Sequence, residues 1–256
     1  MMLRLQHISK VFPSSTGDFS AVKDVSFSIS ENKVLALIGE SGSGKSTIAE
    51  MIVGLNKPTE GALAWFNEKL DGKIRQANIQ YIFQNPDRSL NPYWRIEDIL
   101  LEPLLLKKVK KKDAKEKINK ILEMVELPKD ILTRFPNECS GGQKQRIAIG
   151  RTLTREPKLL IADEITSALD PVTEQAVIKL LINIKRNINM SILFITHRIH
   201  TAKQIADDII VLKSGEIVEK GPLKDVLLCP TKEYTKRLIK SCNYRREYDF
   251  ELKGVY

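Results

Sequence analysis

The stretch GESGSGKS, residues 39–46, constrains the fold more than any other part of the chain. It fits the pattern G-x-x-x-x-G-K-[ST], follows the apolar run VLALI and precedes TIAEMIVGL, which has helical character. A glycine-rich turn between a buried strand and a helix brings backbone N–H groups and the positive end of a helix dipole to one point. The stretch therefore predicts a site that binds phosphate groups.

Two side chains at the end of this stretch suit the chemistry of a nucleoside triphosphate. Lys45 would neutralise phosphate charge, and the Ser46 hydroxyl would be offered to Mg²⁺. A chance cluster of glycines in a tight turn explains the strand and helix context poorly. The candidate nucleotide-binding residues of this loop are Gly39, Ser41, Gly42, Ser43, Gly44, Lys45, Ser46 and Thr47.

Polar side chains also follow two other apolar runs. In LLIADE, Asp163 suits the metal side of a Mg²⁺–phosphate complex, and Glu164 suits a general base for the attacking water. His197 follows SILFIT and is a candidate donor to the γ-phosphate. The structural alternatives are a cap on the next segment for the two acids and an ordinary structural histidine. The presence of the phosphate loop favours the catalytic interpretation of all three residues.

The order of segments predicts an α/β fold around a largely parallel sheet. VLALIG (34–39), KLLIADE (158–164) and SILFIT (191–196) are typical of strands buried on both faces. LRLQHIS and AVKDVSFSIS alternate apolar and polar residues like half-exposed antiparallel strands, and residues 208–221 have the pattern of a hairpin. The middle of the chain, from about Asn85 to Asn137, has apolar residues at helical spacing and is interpreted as an inserted helical subdomain.

A second glycine-rich turn, ECSGGQKQR (138–146), also begins a helical segment. Ser140 has the character of a helix N-cap, and the turn resembles an anion site. No lysine–serine pair like that of the phosphate loop accompanies it, so it cannot hold a whole nucleotide. It is interpreted as half of a site.

Composition narrows the class of protein. No stretch reaches the roughly 20 apolar residues that span a bilayer, and no secretory signal is evident at the N-terminus, so the chain is expected to stay in the cytosol. The 3 cysteines are scattered and are expected to be reduced thiols. The net charge of +9 alone leaves nucleic acid, anionic lipid and a solvated lysine-rich face open as explanations.

The phosphate loop, LLIADE, SGGQ and FITH occur in an order that resembles the nucleotide-binding subunit of ABC transporters over nearly the whole chain. The resemblance implies one ATPase domain over 1–256. Within it, 1–84 and 146–225 would form a RecA-like core with an N-terminal antiparallel β subdomain, 85–145 a helical subdomain with the signature motif, and 226–256 a C-terminal helical tail.

The same resemblance assigns further residues. Gln84 of IFQNP looks like the Q-loop glutamine, which contacts Mg²⁺ and the lytic water and is coupled to membrane subunits. Phe12 is placed like the aromatic residue that stacks on adenine, although a core role is nearly as plausible. SALD, ending at Asp170, resembles the D-loop, and His197 the switch histidine. Ser140, Gly141, Gly142 and Gln143 resemble the signature motif, which is directed at ATP held by a second subunit.

The stretch FQNPDRSLNPYWRIEDILLEPL is similar to the ATPases of oligopeptide, dipeptide and nickel importers, and EPL to the second of their two paired subunits. CPTKEYTKRLI (229–239) resembles their closing segment. Three departures are Cys139 in place of a large apolar residue, Ile165 in place of proline and Arg198 in place of aspartate. None of them removes a catalytic group, although Cys139 puts the packing of the signature helix in question.

These features predict a bacterial ATPase with ATP and Mg²⁺ as cofactors, peripheral on the cytoplasmic face of the cell membrane. Its expected partners are a second ATPase subunit, two transmembrane permease subunits and, indirectly, an extracytoplasmic solute-binding protein. It would energise the import of nickel, a metal–metallophore complex or oligopeptides. The alternatives are a soluble ATPase acting on nucleic acid or the ribosome, an exporter subunit and a regulator without turnover.

Overall fold

A computed structural model describes residues 1–15 and 17–241, which divide into two compact units. Unit 1 consists of Met1–Lys69 together with the chain from Leu193 onward, and unit 2 is the continuous stretch Leu70–Ile192. Strand β8, Ser191–Thr196, begins in unit 2 and continues into unit 1. In the described part of the chain, no helix is long and apolar enough to cross a membrane.

Unit 1 holds most of the strands. They are β1 (Leu3–Phe12), β2 (Phe19–Ile29), β3 (Val34–Ile38), β4 (Glu60–Trp65), β5 (Glu68–Lys69), β9 (Asp208–Lys213) and β10 (Glu216–Pro222). Its helices are α1 (Lys45–Val53), α7 (Ile199–Ile205), α8 (Leu223–Leu228) and residues 233–241, here called the tail helix.

Two sheet regions organise unit 1. One is antiparallel with strand order β2-β1-β4-β5, and in the other β10-β9-β3-β8 are neighbours, with β3 and β9 parallel. Every residue of β3 is buried, because the strand has neighbours on both sides and helices pack near it. The phosphate loop follows β3 directly and leads into α1, as the sequence predicted.

Unit 2 contains two parallel strands and most of the longer helices. Its elements are α2 (Gly72–Asn78), β6 (Ile79–Ile82), α3 (Ile96–Leu106), α4 (Lys111–Met124), α5 (Gly141–Leu153), β7 (Leu159–Asp163) and α6 (Pro171–Ile188). Short 3₁₀ turns occupy Pro86–Arg88, Lys129–Thr133 and Pro136–Glu138. Strand β7 lies parallel to β6, with Ile161 opposite Tyr81.

The α/β architecture with an antiparallel β region and inserted helices confirms the predicted fold class. The three predicted buried strands, the N-terminal antiparallel pair and the 208–221 hairpin are all present. Strands β4 and β6 were not predicted, because each is short and lacks a clear period-two pattern. The predicted domain limits remain predictions. Of the predicted tail, 226–256, the part 242–256 lies outside the described residues.

The cysteines are consistent with reduced thiols. Cys139 is buried and Cys229 is exposed, and both are free. Cys242 lies outside the described residues.

Candidate nucleotide site

The phosphate loop depends on glycine at the two positions where its backbone comes closest to neighbouring segments. Gly44 has a φ of 100°, and a Cβ there would lie 2.4 Å from the Ala21 carbonyl oxygen. A Cβ on Gly39 would lie 2.2 Å from the Leu212 carbonyl oxygen. Any side chain at these positions would push the loop away from β2 and β9. Glycine is therefore required at these two positions by the close approach of neighbouring backbone, and not only for flexibility.

Lys45 is held inside the loop. Its side chain is only 4% exposed, and its Nζ donates hydrogen bonds to the carbonyl oxygens of Gly39 at 2.9 Å and Glu40 at 2.8 Å. An ammonium group in this position gives the concave side of the loop a positive charge. The arrangement suits a phosphate ligand, which would offer Lys45 stronger, charge-assisted hydrogen bonds.

Ser43 fits an anion cradle as well. Its Oγ is buried and has no hydrogen-bond partner among the described residues, while its carbonyl accepts a 3.0 Å bond from the Gly215 amide in the β9–β10 turn. Ser46, predicted to be a Mg²⁺ ligand, lies exposed in the first turn of α1, and Thr47 is half-buried beside it. The loop thus combines an orphaned hydroxyl, a lysine and a helix N-terminus.

The remaining predicted residues of unit 1 are accessible. Phe12 is half-buried at the end of β1, and the Lys10 Nζ lies 4.9 Å from the centroid of its ring. His197 is exposed immediately after β8. Because His197 lies at the end of a buried strand, the position of its backbone is fixed. Its imidazole is exposed to solvent.

In unit 2, the predicted metal-side carboxylate has a partner that the sequence did not predict. Asp163 is 5% exposed at the end of β7, and its Oδ2 accepts a 2.6 Å hydrogen bond from the Tyr81 hydroxyl. Tyr81 lies on β6, three residues before Gln84. The sequence signal for this partner is the tyrosine in the strand before FQNP. That signal could be used only once it was known which strand lies next to β7. Tyr81 orients the carboxylate.

The structure brings Gln84 and Glu164, both predicted to act on the attacking water, into contact. The Gln84 Nε2 donates to Glu164 Oε2 at 3.1 Å and to Ser167 Oγ at 3.2 Å. Glu164 has a φ of 49°, a left-handed conformation that is uncommon outside glycine. That conformation changes the direction of the backbone just after β7, so the Glu164 carboxylate does not continue the side-chain pattern of the strand.

The second glycine-rich turn is a helix cap. Ser140 is the N-cap of α5: its Oγ accepts from the Gln143 amide at 3.2 Å, and the Gln143 Oε1 accepts from the Ser140 amide at 2.9 Å. This capping box satisfies two of the free N–H groups at the helix start. Ser140 and Gly141 are exposed, so the turn offers a helix N-terminus to the surface of unit 2.

The two glycines of this turn differ in the space around them. A Cβ on Gly142 would lie 2.7 Å from Thr173 Cγ2, whereas a Cβ on Gly141 would meet only Leu169 Cδ2, at 3.9 Å. We expect Gly142→Ala to lower the free energy of unfolding by about 1–3 kcal/mol through overpacking, because the Thr173 side chain also bonds Asp170 and is not free to rotate. Urea denaturation measures the change.

Gly141→Ala is the matched control for this prediction. Alanine is the better helix former, so the variant is expected to unfold at the same urea concentration as the wild type or slightly above it. Equal destabilisation by the two alanines would contradict the steric explanation.

Asp170 has a local role in addition to the nucleotide role predicted for it. Its Oδ1 accepts from the amides of Val172 and Thr173, both at 3.0 Å, and it caps α6. Hydrogen bonds from Thr173 hold the pKa of the Asp170 carboxyl below its usual value. Ile165, which replaces the usual proline, is 1% exposed and packs as a core residue.

Two ion pairs join the segment after Gln84 to the signature helix α5. Lys144 Nζ lies 2.7 Å from Asp87 Oδ1, and Arg151 donates to Glu102 Oε2 at 2.7 Å and to the Ser89 carbonyl at 3.1 Å. Asp87 and Ser89 belong to NPDRSLNP, and Glu102 belongs to EPL. These residues, which carried the resemblance to importer ATPases, thus link the Q-loop to the signature helix.

A cleft of about 700 Å³ opens on unit 2 beside this network. Aromatic and aliphatic side chains line it together with several cations and a carboxylate. Its lining includes Tyr81, Phe83, Glu102, Leu106, Arg151 and Arg155. Tyr81 and Arg151 connect the cleft, by one hydrogen bond each, to Asp163 and to the loop after Gln84.

Cys139 precedes the signature serine and is 8% exposed. Its thiol lies 3.5 Å from the Phe135 carbonyl oxygen, and burial raises the pKa of the thiol above its ordinary value. It therefore behaves as a small, protonated core side chain.

A phosphate loop between a buried strand and a helix, in an α/β fold with paired carboxylates at another strand end, defines a P-loop nucleotide-hydrolysing cassette. Residues 22–167 match the family described as ABC transporter. The chain belongs to the ABC transporter family.

Relatives that align with almost the whole chain are ATP-binding subunits. The methionine import ATP-binding protein MetN 4 of Oceanobacillus iheyensis is 37% identical over 94% of this chain and 70% of its own length. SapF of Escherichia coli, named a putrescine export system ATP-binding protein, is 38% identical over 93% and 92%. The dipeptide transport ATP-binding protein DppF of Haemophilus influenzae is 36% identical over 94% and 79%.

Among solved structures, the ATP-binding cassette MJ0796, dimeric in a post-hydrolysis state with ADP and Pi, is similar with a TM-score of 0.78. It is 32% identical in sequence, and the match covers 87% of this chain and 99% of that cassette. The family expected from the motifs is thereby confirmed, and the protein is an ATP-hydrolysing subunit of the transporter type.

Proposed function

We propose that this protein powers solute import from the cytoplasmic face of a bacterial cell membrane, as one of two ATPase subunits bound to two permease subunits. The observation that carries the proposal is the contact between Gln84 and Glu164 in the same unit as the cleft. This contact places Glu164, a group suited to activate water, next to Gln84, which begins the segment that lies beside the cleft. Relatives named for methionine import support this direction of transport, whereas SapF of Escherichia coli is named for putrescine export.

The proposed chemistry uses the phosphate loop together with side chains that follow other strands. In unit 1 the loop residues 39–47 bind the phosphates, Phe12 stacks on the adenine and His197 donates to the γ-phosphate. In unit 2 Glu164 takes a proton from the attacking water, which the Gln84 amide orients.

Mg²⁺ is the metal that fits the side chains proposed to hold it. Ser46, Gln84 and Asp163 offer oxygen ligands, which Mg²⁺ prefers, and the ion would neutralise charge on the phosphates. Within residues 1–15 and 17–241, no group of three or more His, Cys, Asp or Glu side chains is placed to hold a metal ion. We propose that the ion would be bound together with the nucleotide.

The signature turn is proposed to act on a neighbouring subunit. Ser140, Gly141, Gly142 and Gln143 start a helix, with Ser140 and Gly141 exposed and the other two half-buried. The turn has no lysine of the phosphate-loop kind, and MJ0796 is a dimer in its post-hydrolysis structure. We propose that this turn closes on the ATP of a second, different ATPase subunit. Hydrolysis at each site then needs the pair.

The cleft on unit 2 is proposed as the docking surface for a short cytosolic helix of a permease subunit. Leu106 lines the cleft and is 75% exposed, and the cations along the wall suit a helix with an acidic residue beside an apolar anchor. A pull on that helix would reach Asp163 through Tyr81 and the Gln84 segment through Arg151.

Leu106→Asp tests this docking surface. We expect the variant to leave the membrane fraction of cells that hold the permease subunits, because a carboxylate would replace the apolar anchor. Quantitative immunoblotting of membrane and soluble fractions measures the shift. Leu55→Asp, at a leucine that is 64% exposed in unit 1, is the matched control and should fractionate like the wild type. A Leu106→Asp variant that stays on the membrane would argue against the cleft.

The solute is proposed to be nickel, a metal–metallophore complex or an oligopeptide, and uptake assays decide among them. Cells lacking this chain are complemented with wild type or with Glu164→Gln, and the entry of radioactive nickel and of a labelled tripeptide is followed. We expect the wild type, but not Glu164→Gln, to restore the uptake of either nickel or the tripeptide. Restoration of neither, together with RNA bound to the purified protein, would favour a soluble ATPase that acts on nucleic acid.

A further inference from the structure

The end of strand β1 is anchored to residues 57–59, the segment just before β4. The Thr59 amide donates to the Ser9 carbonyl at 2.8 Å, and the Val11 amide donates to Thr59 Oγ1 at 3.1 Å. Ser9 also lies opposite Glu60 of β4 in the register of the sheet. The backbone on both sides of Lys10 therefore has a fixed position.

The Lys10 ammonium contacts both this segment and Phe12. Its Nζ donates to the Lys57 carbonyl at 2.9 Å and lies 4.9 Å from the centroid of the Phe12 ring, within the range of a cation–π interaction. Lys10 and Phe12 are two residues apart on one strand, so their side chains share a face of the sheet. The ammonium thus occupies one face of the aromatic ring.

Phe12 has a second aromatic residue beside it on the neighbouring strand. Phe19 lies directly opposite Phe12 in the β1–β2 pairing, and its side chain is 59% exposed. Residues directly opposite each other in an antiparallel pair share a face of the sheet. The two rings therefore form a partly exposed apolar surface, which suits a planar ligand such as a purine base.

This end of the sheet adjoins the phosphate loop. A Cβ on Gly44 would lie 2.4 Å from the Ala21 carbonyl oxygen, and Ala21 is two residues from Phe19 on β2. An aromatic surface for a base and a loop for phosphates are thus neighbours within unit 1, as the binding of one nucleotide requires.

We propose that Lys10 is a positioning residue for recognition of the adenine base. Its ammonium, held by the Lys57 carbonyl, fixes the Phe12 ring and leaves the base only the opposite face of that ring. A ring that is already oriented loses less conformational freedom when a base stacks on it. The inference rests on the stacking role proposed for Phe12, and Lys10 acts through Phe12 rather than on the phosphates.

Lys10→Met is the test, because methionine keeps an unbranched apolar side chain and removes both the charge and the donor. We expect the dissociation constant for ATP to rise about 2- to 5-fold, the loss typical of one cation–π interaction at an exposed site. The dissociation constant for tripolyphosphate, which has no base, should stay at the wild-type value. Isothermal titration of the isolated chain with Mg²⁺ present measures both.

Two further single variants separate the contact from the charge. Lys10→Arg should bind ATP like the wild type, because a guanidinium also stacks on aromatic rings and can donate to a carbonyl. Lys57→Met is the matched control, since it removes an exposed positive charge nearby and keeps the carbonyl that Lys10 uses. It should bind ATP and tripolyphosphate like the wild type.

A double-mutant cycle tests whether Lys10 acts through the ring. Phe12→Ala is expected to lower the affinity for ATP, and Lys10→Met should cause no further loss in that background. A loss that persists without the ring would overturn the proposal, because Lys10 would then contact the nucleotide itself. An equal loss of affinity for tripolyphosphate would also overturn it, because the charge would then act on the phosphates.

Failure of the proposed function would give a different result. A wild-type chain that binds no ATP would refute the nucleotide site, and wild-type affinity in Phe12→Ala would refute the stacking role of Phe12 together with this inference. Wild-type affinity in Lys10→Met, combined with a loss in Phe12→Ala, would refute the inference on Lys10 alone.

Discussion

Replacement of Glu164 by glutamine is expected to slow ATP hydrolysis about 10²- to 10⁴-fold, the contribution typical of a positioned general base. The amide cannot accept a proton from water, yet it has the shape of the carboxylate, and its oxygen can still accept from the Gln84 amide that now lies 3.1 Å away. ATP binding should therefore persist. Phosphate release measures hydrolysis, and size-exclusion chromatography with ATP and Mg²⁺ should show an accumulating dimer.

Glu123→Gln serves as the control for charge and composition, because Glu123 is exposed on α4. It should hydrolyse ATP at the wild-type rate. If Glu164→Gln retained more than a tenth of that rate, the base would be another group. If the variant bound no ATP, the loss of hydrolysis would report on binding and not on proton transfer.

Lys45→Met is expected to raise the dissociation constant for ATP about 100-fold, because hydrogen bonds to charged groups contribute up to about 3 kcal/mol and each 1.4 kcal/mol is tenfold. A second effect is expected on the stability of the protein without ATP. The carbonyls of Gly39 and Glu40 lose the ammonium that bonds both, so the free protein should also be less stable, by about 1–3 kcal/mol. Isothermal titration and urea denaturation measure the two effects.

Lys57→Met is the control for removal of a positive charge, because the Lys57 side chain is exposed and its carbonyl, which the substitution keeps, accepts a hydrogen bond from Lys10. It should match the wild type in both measurements. Normal ATP affinity in Lys45→Met would contradict the phosphate-binding role of the loop. A loss of affinity without any loss of stability would show that the two carbonyl contacts contribute little to the free protein.

The phosphate loop could be predicted from the sequence because its determinants are local. A buried strand, glycines and a lysine lie within thirteen consecutive residues, 34–46, and each has a clear physical role there. The serine cap at Ser140 followed from the same kind of local pattern and is confirmed. The roles of the nucleotide-site residues are still predictions.

Contacts between distant segments could not be predicted. Tyr81 bonds Asp163 across 82 positions of the sequence, and that pairing depends on which strands are neighbours. The ion pairs of Asp87 and Glu102 are similar: NPDRSLNP and EPL were recognised by resemblance, while their contacts with α5 gave no sequence signal. Each missed residue acts through partners that the chain brings together only on folding.

The discontinuity of unit 1 has a consequence for biosynthesis. Strand β3 pairs with β9, and the Val34 amide bonds Asp207, 173 positions later, at 2.8 Å. At 5–20 residues per second, the ribosome needs about 9 to 35 s to make the stretch between them. Unit 2 is continuous and can complete its contacts during that time. The strand that carries the phosphate loop stays unpaired on that side until β9 has been made. Retention of nascent chains on immobilised ATP is therefore expected only for chains that extend past β9.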